Sequence, residues 1–134
     1  MEKTFVMIKP DGIRRGLAGH IIKRYEQKGL KIVKARLMKV SGELARKHYS
    51  EHVSKTFFPK LITYITSGPV IAMILEGPSA IALTRLVNGA TEVEKALPGT
   101  IRGDFAFSTT ENLVHASDNL ENANREIQLW LPYL

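Results

Sequence analysis

The sequence predicts an α+β fold, an α/β sandwich in which helices pack on a four-stranded antiparallel sheet. Three observations predict it: three short apolar, β-leaning runs with a fourth that alternates apolar and charged residues, helical periodicity between them, and one strand-to-strand connection made through an inserted helical pair.

Thr4-Phe5-Val6-Met7-Ile8 is short and apolar and reads as a strand. Lys9-Pro10-Asp11-Gly12 ends it, because Pro and Gly break a ladder and Pro-Asp-Gly is turn chemistry. A helix is expected from Leu17 to Lys28, with Leu17, Ile21, Ile22 and Tyr25 on one face and Gly29 at the C′ position. Leu30 to Val40 reads as a second strand. Val33, Ala35 and Leu37 alternate there with Lys34 and Arg36, so one face is wet.

Ser41 to Ser67 reads as a helical excursion. Ser41, Leu44 and His48 suggest one helix, and Phe57 to Ile65 a second, with Pro59 near its start where Pro is tolerated. Gly68-Pro69 stops it. The unbroken run Val70 to Leu75 has the look of a central strand covered on both faces. Ser79 is placed to N-cap a helix ending near Gly89. Thr91 to Phe107 reads as loop, and Leu113-Val114-His115-Ala116 as a last short strand. Asp118 with Glu121 resembles a capping box opening a helix through Trp130. The order is βα, β, a helical hairpin, βα, β and a closing helix. A ferredoxin-like βαββαβ sheet with inserted helices fits it, and a small doubly wound sheet is the alternative.

A chain of 134 residues without repeats, low-complexity tracts or a linker is expected to form one domain, 1–134. No apolar run approaches the roughly 20 residues of a membrane helix. Met1-Glu2-Lys3-Thr4 leads straight into a strand-like run, so no secretory signal is expected. There is no cysteine, hence no disulfide and no thiolate nucleophile or ligand, which fits a cytoplasmic protein. The net charge is +6, which favours capture of anions: nucleotides, nucleic acid or acidic membranes.

His115 sits on a short strand just before a helix cap, held by secondary structure on both sides, and an imidazole can act as a nucleophile. Glu126 lies eleven residues on, in the following helix. If that helix packs against the strand, its carboxylate can hold one ring nitrogen and leave the other free. Lys9 closes the first strand, Arg85 lies on the helix after the third, and Arg102 follows Pro98-Gly99-Thr100-Ile101. A nucleophile with three cations is what phosphoryl transfer requires, because charge on the equatorial oxygens must be neutralised.

Asn112-x-x-His115-x-Ser117-Asp118 resembles the signature of the nucleoside diphosphate kinase family. Thr4 to Gly12, Arg15-Gly16-Leu17, Ser67-Gly68-Pro69-Val70 and Pro98 to Phe105 resemble the family in the same order, so the likeness covers nearly the whole chain. The resemblance implies that His115 is phosphorylated and then donates, in a ping-pong exchange between nucleoside di- and triphosphates. It implies that Lys9, Arg85, Thr91 and Arg102 hold phosphates, that Tyr49 lies near the transferring group, and that Asn112 with Lys9 binds the sugar. Phe57 would stack on the base, and Glu126 and Ser117 would stand behind the histidine. It further implies Mg²⁺ carried mainly by the nucleotide's phosphates, and a homo-oligomer, hexamer or tetramer. The sequence departs from the family at Ala116, where glycine is usual, and it ends at Pro132-Tyr133-Leu134, where many relatives carry a tail used in subunit contacts. If position 116 needs a positive φ, alanine is strained there.

Two other readings compete. Arg102-Gly103-Asp104-Phe105-Ala106-Phe107 superficially resembles an RNP1 strand, but Asp104 shifts the register and adds an acid, so nucleic-acid binding is expected to be weak or incidental. His48 and His52 are spaced i, i+4 like metal ligands, yet no H-E-x-x-H pattern accompanies them, and a solvated pair is expected. A P-loop kinase is excluded, since G-x-x-x-x-G-K-[ST] is absent.

Overall fold

A computed structural model describes residues 1–134. Its strands are β1 (Glu2–Ile8), β2 (Lys31–Lys39), β3 (Pro69–Gly77) and β4 (Val114–Ala116). Its helices are α1 (Pro10–Arg14), α2 (Ala18–Gln27), α3 (Gly42–His48), α4 (Phe58–Ile65), α5 (Ala80–Asn88), α6 (Ile101–Phe105) and α7 (Leu120–Trp130). The sheet order is β2-β3-β1-β4 and every pairing is antiparallel. This is the ferredoxin-like arrangement, and the doubly wound alternative, which needs parallel neighbours, is excluded.

The period of two in β1 builds the core on both sides. Val6 and Ile8 face one hydrophobic cluster with Ile21 and Tyr25 of α2 and with Met73 and Leu75 of β3. Phe5 and Met7 face a second cluster with Leu44 of α3, Ile65 of α4 and Trp130 of α7. The inserted helices α3 and α4 are part of this core: with α7 they cover the sheet face that α2 and α5 leave open. Each fully buried large side chain is worth about 1.5–3 kcal/mol, which is why an edge such as β2 can stay largely exposed while the centre holds.

Several local expectations change. Pro10-Asp11-Gly12 opens the short helix α1, with Pro in the first turn where its missing N–H costs nothing. Ile101–Phe105, expected as loop, is helix α6, capped by the Thr100 hydroxyl accepting from the Gly103 N–H at 3.0 Å. Gly103 is required there, since a Cβ would lie 1.9 Å from the Leu97 carbonyl oxygen. Ser79 precedes α5 but has φ +52° and no capping bond. The Glu2 carboxylate instead accepts from the Ile81 N–H at 2.8 Å. At α7 the cap is Asn119, accepting from Asn122 N–H at 2.8 Å, one residue beyond the expected Asp118. Gly29 has φ +96° just past α2, as a C′ glycine does. No helix is long and apolar enough to cross a membrane.

Candidate functional site

Alternation along β4 decides where His115 points. It pairs with Met7, so it shares the sheet face of Phe5 and Met7, beneath α3 and α7. Its backbone is held by an unusual residue. Leu113 is fully buried with φ +76°, a conformation that costs a non-glycine residue about 1–3 kcal/mol. Two bonds fix it: its N–H donates to Asp11 Oδ2 at 3.1 Å, and its carbonyl accepts from the Lys9 N–H at 2.8 Å. Asp11 is buried and also accepts from the Tyr64 hydroxyl. Neither the strain nor the Asp11 clamp has a sequence signal, since leucine is not a residue that advertises a left-handed backbone. Ala116 has no positive φ, so the strain considered for alanine there does not arise.

Glu126 of α7 meets the strand as the sequence suggested it could. Its Oε1 lies 3.0 Å from His115 Nε2 and accepts from Ser117 Oγ–H at 2.7 Å. Burial alone would raise this carboxyl, but the His115 hydrogen bond and charge, with His48 and Ser117, hold it down to about 2. An ionised carboxylate only accepts, so Nε2 carries the hydrogen, and in the neutral ring Nδ1 presents its lone pair. This depressed pKa gives stability that is complete above the ordinary value near 4.5 and is lost as pH falls toward about 2. Melting temperature should therefore drop more steeply below pH 4.5 in the native protein than in Glu126→Gln. Parallel curves would mean the carboxylate is not held ionised.

His115 lines a cavity of about 220 Å³. Lys9, Tyr49, Arg85, Thr91, Arg102 and Asn112 border it too. An adjoining cavity of about 390 Å³ shares Lys9, Tyr49, Thr91 and Asn112, and is closed by Phe57, which is 48% exposed, with Lys60 and Leu61 of α4. All ten sequence-derived site residues thus come to this double cavity or directly behind it, Ser117 being the one that stands behind. His48, Asp11, Lys60 and Leu61 were not singled out for it. A broad depression of about 400 Å³ by Arg24, Lys28 and Leu86 has no histidine and none of the ten site residues, so its size carries no weight.

The cations differ in their anchoring. Lys9 Nζ donates to Asn112 Oδ1 at 2.9 Å, and Asn112 Nδ2 donates to the Thr91 carbonyl at 3.4 Å. Burial, then the neighbouring Arg102 guanidinium, pulls Lys9 down to about 7, with Asp11 opposing. Arg102 is buried and donates to the carbonyls of Asn112 (3.3 Å), Gly89 (2.8 Å) and Val114 (2.6 Å). Burial lowers it to about 10, so it stays charged at neutral pH. A guanidinium has five N–H groups, which leaves two for a ligand. Arg85 is exposed and donates to the Ala116 carbonyl at 3.1 Å. The Tyr49 hydroxyl is buried without a partner.

Arg102 to Phe105 is helical, not a strand that could stack bases. His48 is not half of a solvated pair: it is 2% exposed, and its Nδ1 accepts from Trp130 Nε1–H at 3.0 Å.

Comparison with known proteins agrees with this geometry. The family model described as nucleoside diphosphate kinase matches residues 2–133. A nucleoside diphosphate kinase of Caldanaerobacter subterraneus subsp. tengcongensis is 60% identical over 134 residues, all of this chain and 96% of that protein. One of Thermus thermophilus is 58% identical over 130 residues, 97% of this chain and 95% of that one. The structure of a halophilic nucleoside diphosphate kinase from Halobacterium salinarum in complex with CDP superposes with TM-score 0.93 at 50% identity, covering 96% of this chain and 86% of that one. A match that runs the length of the chain in both sequence and structure leaves one conclusion: this chain belongs to the nucleoside diphosphate kinase family.

Proposed function

We propose that residues 1–134 act as one domain that reversibly transfers a γ-phosphoryl group from a nucleoside triphosphate to a nucleoside diphosphate through a phosphohistidine on His115. The observation that carries this reading is the pairing of His115 Nε2 with the buried, ionised Glu126, which leaves Nδ1 as the free nucleophilic nitrogen beside Lys9, Arg85 and Arg102. In the first half-reaction Nδ1 attacks the γ-phosphorus, the bond to the β–γ bridging oxygen breaks, and the diphosphate leaves. Positive charge developing on the imidazole is stabilised by Glu126, which Ser117 orients. The second half-reaction is the reverse on a different diphosphate, so one pocket serves donor and acceptor in turn.

Arg85, Arg102, Lys9 and Thr91 hold the phosphates and Tyr49 directs its free hydroxyl to the transferring group. Lys9 and Asn112, already bonded to each other, meet the sugar. Phe57 stacks on the base, and one aromatic face accepts any base, so discrimination among nucleotides is weak. The donor set fits Mg²⁺ that arrives with the phosphates: Glu126 is committed to His115 and Ser117, and Asp118, whose carboxylate accepts from Asn122 Nδ2, is not part of a cluster of oxygen ligands. When bound, the ion neutralises charge on the phosphate oxygens. A homo-oligomer, hexamer or tetramer, is proposed from the family resemblance alone.

The test is initial-rate kinetics with ATP and GDP varied together. Parallel double-reciprocal lines with GTP as product support the shuttle, and intersecting lines indicate direct transfer in a ternary complex. The Lys9 environment adds a second check. An anion placed on a lysine held near 7 favours its charged form, so nucleotide binding near pH 7 should take up protons. Calorimetric binding enthalpy should then depend on the ionisation enthalpy of the buffer, and no dependence would mean that binding leaves the protonation of Lys9 unchanged.

A further inference from the structure

His48, which the mechanism above does not use, lies against the nucleophile. It closes α3 and its ring centroid is 4.6 Å from that of His115, at 77° between planes, and 4.6 Å from that of Tyr49. Its protonation is set by Trp130. An indole N–H only donates, so the His48 Nδ1 that receives it must offer a lone pair. The neutral ring therefore carries its hydrogen on Nε2. Burial first, then the charge of His115, favours that neutral form.

This Nε2–H is buried and has no partner, and the ring borders the same cavity as His115. An orphan buried donor needs a reason, since native interiors satisfy nearly all of them. Ring nitrogens of His48 and His115 and a carboxylate oxygen of Glu126 lie within 4.8 Å of one another, a spacing that suits a metal ion. The hydrogens argue against a cation. Nε2 of His48 has no lone pair while Trp130 occupies Nδ1, and Nε2 of His115 is committed to Glu126. An acceptor oxygen fits instead. The Tyr49 hydroxyl is a second buried, unpartnered donor on this cavity, and one phosphoryl group has oxygens enough for both.

We propose that the His48 Nε2–H donates a hydrogen bond to a phosphoryl oxygen while that group is on, or moving to and from, His115. This rests on His115 as the phosphorylated residue. His48 gains and loses no proton. It supplies a fixed neutral donor to charge on the moving group, and Trp130 is the residue that keeps the donor facing it.

Two substitutions separate this role from simple bracing of Trp130. In His48→Asn the side-chain oxygen can stand where Nδ1 was and accept from Trp130, but no donor reaches the phosphoryl group. In His48→Gln the amide nitrogen can stand where Nε2 was and donate, but the Trp130 acceptor is lost. Single-turnover rates of phosphoenzyme formation from Mg²⁺-ATP and of its discharge by GDP are measured with nucleotide affinity and melting temperature. The expected result is that His48→Asn slows both half-reactions about 10- to 100-fold at nearly unchanged affinity, while His48→Gln recovers much of the rate despite a lower melting temperature. The opposite order, with rate following melting temperature, would overturn the proposal. So would wild-type rates in His48→Asn. Failure of the unsubstituted protein to form any phosphoenzyme would instead remove the His115 reading beneath it.

Discussion

His115→Ala is expected to lower nucleotide exchange by about 10⁴-fold or more, because it removes the one cavity histidine whose ring is held by the buried Glu126 carboxylate with Ser117 behind it. Cysteine is absent from the chain, and Lys9 is tied to Asn112. His48 cannot substitute, since its one lone pair faces Trp130 and not the cavity. The fold should survive. His115 is at the cavity surface, and Glu126 keeps its bond from Ser117. Nucleotide affinity should change little, as Lys9, Arg85 and Arg102 remain. Exchange kinetics, calorimetry and a binding titration on the same preparation check this, and activity above a hundredth of native would displace His115 from its role.

Arg102→Ala is expected to fail twice, in stability and in rate. Arg102 ties together the carbonyls of Gly89, Asn112 and Val114, that is, the end of α5 and both flanks of the strained Leu113. The Asn112 carbonyl keeps the Val114 N–H at 2.9 Å, but the Gly89 and Val114 carbonyls lose the guanidinium; acceptors left unpaired cost about 1–3 kcal/mol each, so a loss of about 3 kcal/mol and a fall of about 10 °C in melting temperature are expected. The rate should fall at least about 10²-fold, from lost phosphate charge and a displaced His115. Arg102→Lys should restore charge but not the fork, since one ammonium on a flexible stem cannot serve three fixed carbonyls. Unchanged melting temperature in Arg102→Ala would show that these bonds hold nothing. A lysine variant indistinguishable from native would show that only charge matters.

The sequence made the central sheet legible because β1 and β3 carry continuous apolar runs, and α2 and α7 are long enough to show their period. It did not reveal α1 and α6, which at five residues each have less than two turns, too few to establish a period. The cap of α5 was misread because its donor is satisfied by Glu2, 79 residues away, a partner that only the tertiary structure supplies. The same limit governed the site. Residue chemistry and family likeness picked out His115, Glu126 and the cations, whose types announce what they do. His48 was expected in a solvated pair with His52 because no H-E-x-x-H pattern accompanies their i, i+4 spacing, and only the packing of α3 against α7 turns it inward onto Trp130. Leu113 could not be found at all, since its backbone is forced by Asp11 and Lys9 and not by its own side chain.

The central claim is covalent, and intact mass tests it most directly. The protein is mixed with Mg²⁺-ATP and no acceptor at neutral or mildly basic pH. One added phosphoryl group is predicted, labile to acid, discharged by GDP with GTP appearing, and absent from His115→Ala. No added mass at any ATP concentration, or a stable adduct that persists in His115→Ala, would contradict the account.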